Sequence, residues 1–288
     1  MKALIQLLRP SHYIKNVFVF MPLFFAGRAD NLNDLSTVAI AFVAFCLMAS
    51  AVYVLNDISD IQTDKQHHKN KNRPLAAELI TLKAAYCLLA VCLILSLLLA
   101  SSLSMDTLLL LLGYFALNVA YSIRLKHIPI VDISIISSGF VLRLFVGSTA
   151  VDVMLSQWIV IMTFLLALFL AISKRRDDVL IFEATGQKMR VAVDGYNLKF
   201  LDASISMLGA IIVVAYLMYV TSPEVAQRLG SDSLYLTSLF VVIGVLRYLH
   251  RTLVQQDTGS PTKVALSDRF MQATIILWVA SFAWIIYL

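Results

Sequence analysis

The residues Asn56-Asp57-Ile58-Ser59-Asp60-Ile61-Gln62-Thr63-Asp64 close a long apolar run. On a helix, the intervals of three and four put Asp57, Asp60 and Asp64 on one face. Carboxylates gathered in this way repel one another unless a cation lies among them. Hard oxygen ligands suit Mg²⁺, which is commonly completed by the phosphates of a substrate. A basic run, Lys65 to Arg73, follows directly. Carboxylates for an ion, then cations for the phosphate oxygens the ion does not reach, suit chemistry on a diphosphate. The plain alternative is a helix end carrying ordinary solvated charge. His67 and His68 are adjacent and lack zinc-ligand spacing, so they are not read as ligands.

Three more segments gather polar chemistry. In Asn118 to Arg143, Tyr121 precedes a tight turn holding Lys126. Asp132 opens the next apolar run, and Arg143 lies about three helical turns further on. A charged side chain inside a membrane normally faces a polar cavity with a partner. The eleven-residue interval puts Asp132 and Arg143 on one face, read as lining a cavity; a structural ion pair is the competing reading. In Ser173 to Asp178, Lys174 and Arg175 are placed to reach phosphate; the competing reading is that these two and Arg176 simply mark topology. The polar stretch that follows, with Arg190 and Tyr196 as its foremost contacts, is long enough to cap a site. In Arg9 to Asn16, Lys15 and Asn16 open an apolar stretch at membrane depth, either beside phosphate or as an anchor. Gly139 and Gly147 read as helix-packing positions.

The elements that must position these residues follow from composition. The chain of 288 residues is 60% hydrophobic and 14% charged, against about 25% charged in soluble domains. The apolar residues come in runs of roughly 20, the length of a membrane-crossing helix, without the alternation of barrel strands. Nine spans are predicted, near 14–28, 36–56, 79–101, 106–123, 130–150, 156–173, 203–221, 233–250 and 266–287, in a single membrane domain over 1–288. The first contains Pro22 and is the weakest. The amphipathic start, Lys2 to Pro10, suits a helix lying in the interface, and no cleavable signal peptide is expected. Cys46, Cys87 and Cys92 fall within spans and read as packing residues.

Charge sets the orientation. Of 23 Lys and Arg, 20 fall on the side shared by the N-terminus and the even-numbered loops. Arg28 and Arg228 fall on the other side, and Arg143 within a span. The positive-inside rule makes the rich side cytoplasmic. The expectation is a multi-pass plasma-membrane protein whose active site faces the cytoplasm and whose C-terminus lies outside. The basic excess needs no nucleic acid, since no binding motif accompanies it. A homo-oligomer is compatible with the sequence, which is silent on the point.

These motifs resemble a family. N-D-x-x-D-x-x-x-D at the end of the second of nine spans is similar to the first acidic motif of the UbiA superfamily of intramembrane prenyltransferases. The resemblance covers the whole chain and implies an all-α bundle of nine transmembrane helices around a lipid-open central cavity, with Mg²⁺ dependence. The closest likeness is to the decaprenyl-phosphate phosphoribosyltransferase branch. It is carried by R-P-x-H-Y-x-K-N from Arg9, Y-S-x-x-L-K-x-x-x-x-x-D from Tyr121 to Asp132, G-F-V-L-R from Gly139 to Arg143, and A-I-S-K-R-R from Ala171 to Arg176. Aromatic prenyltransferases of the superfamily usually carry a second aspartate-rich motif. Here the matching region offers Asp132 alone, which counts against an aromatic acceptor.

The resemblance implies transfer of 5-phosphoribose from 5-phosphoribosyl diphosphate to a polyprenyl phosphate of the bilayer. Asp57, Asp60 and Asp64 would then hold Mg²⁺ and the donor diphosphate, assisted by Asn56. Lys126, Lys174 and Arg175 would bind phosphate oxygens, and Asp132 a ribose hydroxyl or a second metal contact. Lys15, Tyr121, Arg143, Arg190 and Tyr196 complete the candidate set. The alternative is a prenyltransferase moving a polyprenyl group from its diphosphate to an aromatic or quinone-precursor acceptor. A transporter would call for internal repeats and mid-membrane polar residues; no clear repeat is present, and the polar residues gather at one face.

Overall fold

The computed structural model describes residues 2–66, 70–186, 191–229, 231, 233–255, 264 and 267–287. His67, His68 and Arg190 lie outside this set. Among the described residues every regular element is helical. Eight helices are long and apolar enough to cross a bilayer.

Helix α1 (Lys2–Leu8) leads through Arg9 into a 3₁₀ segment, Pro10–Phe20, and a short helix α2, Met21–Phe25. The span expected at 14–28 therefore forms from two short pieces. Pro22 lacks an N–H to donate, so it suits the first turn of a new helix, where it stands here. Eleven residues rising roughly 2.0 Å each and five rising roughly 1.5 Å still cover about 30 Å, the thickness of a bilayer core.

The long helices are α3 (Leu32–Ser59), α5 (Leu82–Ser101), α6 (Met105–Ile123), α7 (Val131–Val151), α8 (Gln157–Thr185), α9 (Leu198–Val220), α11 (Ser238–Leu249, continued as a π turn to Val254) and α12 (Arg269–Tyr287). Short helices α4 (Ile61–Gln66) and α10 (Pro223–Leu229) stand between them. Side-chain caps set several starts, each accepting backbone N–H groups that the helix leaves without partners. Asn31 accepts from Asn33, Thr81 from Ala84, Ser104 from Thr107, Ser156 from Trp158 and Asn197 from Phe200. Gly186 closes α8 in the left-handed region, where glycine is unstrained.

The chain divides into two compact units. The first comprises residues 1–125 and 139–155, the second 126–138 and 156–288; α7 supplies its first turns to the second unit and the rest to the first. In the first unit α3 packs chiefly on α5, with α6 and the 3₁₀ segment beside it. Its core runs through Val19, Phe45, Met48, Leu111 and Val146, and a smaller cluster sets Leu7 of α1 against Val54, Leu75 and Ala85. Gly147 belongs here by necessity: a Cβ on it would lie 1.9 Å from the Val19 carbonyl oxygen. In the second unit α8 packs on α9, and α11 on α9 and α12, around Phe169, Leu201, Ile205 and Tyr248.

Candidate functional site

The acidic motif does not lie on one unbroken helix. α3 ends at Ser59, Asp60 takes φ −100° and ψ 6°, and α4 begins at Ile61. Backbone bonds bridge the break, from Asp60 N–H to Asn56 and from Asp64 N–H to Asp60. Asp57 and Asp64 are buried, while Asp60 is only half-buried at the break. Among the described residues no three acidic, histidine or cysteine side chains converge as a ready metal cluster. Instead, arginines neutralise the two buried carboxylates. Arg73 Nη1 donates to Asp64 Oδ2 at 2.7 Å and to Asp57 Oδ1 at 3.3 Å. Arg9 donates to the same oxygen of Asp57. Asn70 Nδ2 donates to Asp64 Oδ1 at 2.9 Å. The physical reason is charge: carboxylates buried at a membrane's edge need cations, and the chain supplies them.

Arg9 and Arg73 fall inside segments that the sequence singles out, but neither is marked there as an individual site residue. Each directly precedes a proline, Pro10 and Pro74, and so falls where a helix cannot run through. Two such Arg-Pro pairs flanking an acidic motif were a usable signal. Arg9 also sits at φ 53°, in the left-handed region, which is strained for a residue with a side chain. Its guanidinium lies 5.0 Å from the centre of the Tyr53 ring. Asn56 Oδ1 is hydrogen-bonded to Ser122 Oγ, tying the motif to α6 beside the half-buried Tyr121. Lys65, first of the basic run, turns outward to Glu78 at 2.5 Å. Glu78 is held below the usual carboxylate range by that bond.

Arg143 sits in the first unit at a different level. Its Nε donates to Asn16 Oδ1 at 2.9 Å and its Nη1 to the Gly139 carbonyl at 2.7 Å. The rings of Phe45, Phe140 and Tyr114 enclose it, their centres at 4.7, 5.0 and 5.5 Å. Cation–π contact and these two bonds stand in for a counter-ion. Phe45 is twelve residues before Asp57 on α3, or roughly 18 Å along the axis, so one phosphate group does not span both. Lys15 is half-buried on the 3₁₀ segment next to Asn16.

In the second unit Asp132, Arg175 and Tyr196 come together, but on one another. Asp132 is fully buried and accepts from Arg175 Nε at 2.6 Å and from the Tyr196 hydroxyl at 2.7 Å. Arg175, itself 1% exposed, also donates to Asp178 at 3.3 Å. The Tyr196 hydroxyl accepts the Ile130 N–H at 2.7 Å. Burial, and then the Asp132 carboxylate, hold the Tyr196 phenol protonated well above its usual range, so it acts as a donor. Ile130 has φ 70°, an outlier for a β-branched residue, and this bond helps hold it there. Asp132 and Arg175, expected to contact ribose and phosphate, form an ion pair with one another, because a carboxylate at 0% exposure must be compensated inside the protein. Asp132 and Arg143 both stand on α7, and each has hydrogen-bond partners within its own unit. Lys126, in a one-turn 3₁₀ helix, and Lys174 are half-buried.

A chain whose described residues form only helices, eight of them long and apolar enough to cross a bilayer, and which carries a buried carboxylate–arginine cluster where an apolar helix ends, is a polytopic membrane protein with an ionic site at the edge of its hydrophobic zone. The chain belongs to the UbiA prenyltransferase family, whose profile matches residues 17–286. It is 33% identical to the decaprenyl-phosphate phosphoribosyltransferase of Corynebacterium glutamicum, over 99% of this chain and 87% of that one. The enzyme of the same name from Mycolicibacterium smegmatis is 32% identical, over 99% and 92%. Among solved structures, a UbiA homologue from Archaeoglobus fulgidus bound to DMAPP and Mg²⁺ superposes with a TM-score of 0.70 at 19% identity, covering 98% of each chain. That likeness establishes the fold.

Proposed function

We propose that the chain transfers 5-phosphoribose from 5-phosphoribosyl diphosphate to a polyprenyl phosphate, releasing diphosphate, at the cytoplasmic face of the plasma membrane. The observation that carries this reading is the pair of buried carboxylates, Asp57 and Asp64, gathered on Arg73 where α3 ends. The names of the bacterial relatives support the substrates, and the side on which Lys and Arg accumulate supports the orientation.

The donor set fits a hard divalent ion. Mg²⁺ is usually held by one or two carboxylates and completed by water and substrate phosphate. Both arginine bonds of Asp57 fall on its Oδ1. Asp57 and Asp64 would hold the ion, with Asp60 and Asn56 beside them. When bound, Mg²⁺ neutralises negative charge on the leaving diphosphate.

The chain's own residues supply the remainder. Arg9 and Arg73 present planar forks matched to phosphate oxygens. The bond between ribose C1 and the diphosphate oxygen breaks, and its electron pair leaves with the diphosphate. An oxygen of the acceptor phosphate forms the new bond to C1. That phosphate is already anionic at neutral pH, so no general base is required. Lys15, Tyr121, Lys126, Lys174 and Arg190 remain proposed contacts for phosphate or ribose. Arg143, Asp132, Arg175 and Tyr196 serve the framework in this reading.

Purified protein, given Mg²⁺, radiolabelled phosphoribosyl diphosphate and polyprenyl phosphate, is expected to yield a labelled lipid. A parallel reaction with geranylgeranyl diphosphate and 4-hydroxybenzoate tests the alternative, which the family's description as prenyltransferases favours. Product in the second reaction alone would overturn the proposal.

A further inference from the structure

We infer that Arg73 is a counter-ion that must leave the carboxylates for a divalent ion to bind, so that ion and diphosphate bind cooperatively. The inference rests on the reading of Asp57 and Asp64 as the metal-holding pair. Arg73 Nη1 bridges Asp64 Oδ2 and Asp57 Oδ1, at 2.7 and 3.3 Å. These are the kind of oxygens a hard cation seeks. Arg9 shares the Asp57 oxygen, so two guanidinium charges balance two carboxylate charges before any ion arrives. A divalent ion placed there meets occupied ligands and two like charges, and on its own it binds weakly. Diphosphate alone meets arginines already paired to carboxylates, and it too binds weakly.

Together the two relieve one another. The ion takes the carboxylates, and the guanidiniums turn to the diphosphate oxygens. Arg73 has room for this exchange: its side chain is 29% exposed, whereas those of Asp57 and Asp64 are 2% and 6% exposed. Linkage makes the effect reciprocal: whatever factor diphosphate adds to ion affinity, the ion adds to diphosphate affinity. The exchange also keeps the site electrically balanced between turnovers, when the buried carboxylates would otherwise be left as uncompensated charges.

The test uses full-length protein in detergent and Mn²⁺ as a spectroscopic substitute for Mg²⁺, titrated by electron paramagnetic resonance at buffered free Mn²⁺. Each titration is run with and without inorganic diphosphate. Wild type is expected to bind Mn²⁺ weakly alone and at least about tenfold more tightly with diphosphate, within the range usual for coupled sites. Arg73→Gln is expected to bind Mn²⁺ alone several-fold more tightly than wild type and to lose most of the gain from diphosphate. Arg73→Lys, which keeps the charge without the fork, should fall between them and guards against a folding defect in the glutamine variant. If Arg73→Gln binds Mn²⁺ no more tightly than wild type, or keeps the full diphosphate effect, the counter-ion exchange is wrong. If Asp57→Asn leaves Mn²⁺ binding unchanged, the metal-site reading itself fails, which is a separate result.

Discussion

Asp57 and Asp64 stand on opposite sides of a helix break and meet on one guanidinium, that of Arg73. The break at Asp60 ends α3 where a charged cluster can leave the apolar zone, and Arg73 directly follows the 3₁₀ turn Asn70–Asn72. The site is therefore an ionic knot between a membrane helix and the loop that follows it.

Replacing Asp57 or Asp64 by Asn is expected to lower turnover by more than the roughly 10–100-fold seen when only the partners behind a metal ligand are removed. Steady-state rates of the two variants check this. Thermal unfolding in detergent should show the helical fold retained, since the amide keeps the shape and the arginines reach solvent.

Arg175 and Asp132 answer to a different measurement. Breaking a buried pair by removing one partner costs about 3–5 kcal/mol. Arg175→Met is expected to destabilise by that order, and so is Asp132→Leu. The double substitution should cost less than the sum, because neither Asp132 nor Arg175 is then left buried without the other. A double-mutant cycle in thermal unfolding reads the coupling. Additive effects would mean that the two side chains act independently, as separate substrate contacts would.

Arg143 is bound by geometry rather than by charge. Arg143→Lys keeps the cation but loses the fork shared by Asn16 and Gly139 and the planar stacking among three rings. It is expected to lower the melting temperature while leaving the apparent affinity for the phosphoribosyl donor within about twofold, because the Phe45 ring it stacks on belongs to a residue roughly 18 Å along α3 from Asp57. A large rise in donor KM without a stability change would place Arg143 at the substrate instead.

Two glycines give opposite expectations. Gly147→Ala would push a methyl group onto the Val19 carbonyl, 1.9 Å away, and is expected to destabilise by about 1–3 kcal/mol or more. Gly113→Ala meets nothing within 4 Å in mid-helix α6 and should be neutral or stabilising by up to about 1 kcal/mol. Unfolding of the two variants side by side checks both.

Much of the fold was legible in the sequence. Eight of the nine expected spans appear as long helices, because lipid leaves the backbone little choice but to satisfy itself within a helix, and apolar runs announce that. The first span was harder to read, since Pro22 divides it and a 3₁₀ segment carries no periodic signature of its own. At the site, the acidic motif was visible from composition and spacing, and the role of Gly147 from its small size. Arg9 and Arg73 were not singled out within their segments because an arginine beside a membrane reads first as a topology marker.

By itself the sequence determined which segments enter the membrane, which side gathers positive charge and where three aspartates cluster, since these depend on local composition and spacing. Only the tertiary structure decided which cation answers which carboxylate. Arg9 reaches Asp57 across 48 residues, Arg175 reaches Asp132 across 43, and Arg143 reaches Asn16 across 127. In the chain all the arginines look alike. Burial separates them, because a charge taken out of water must find its partner among the side chains that packing brings within hydrogen-bonding reach.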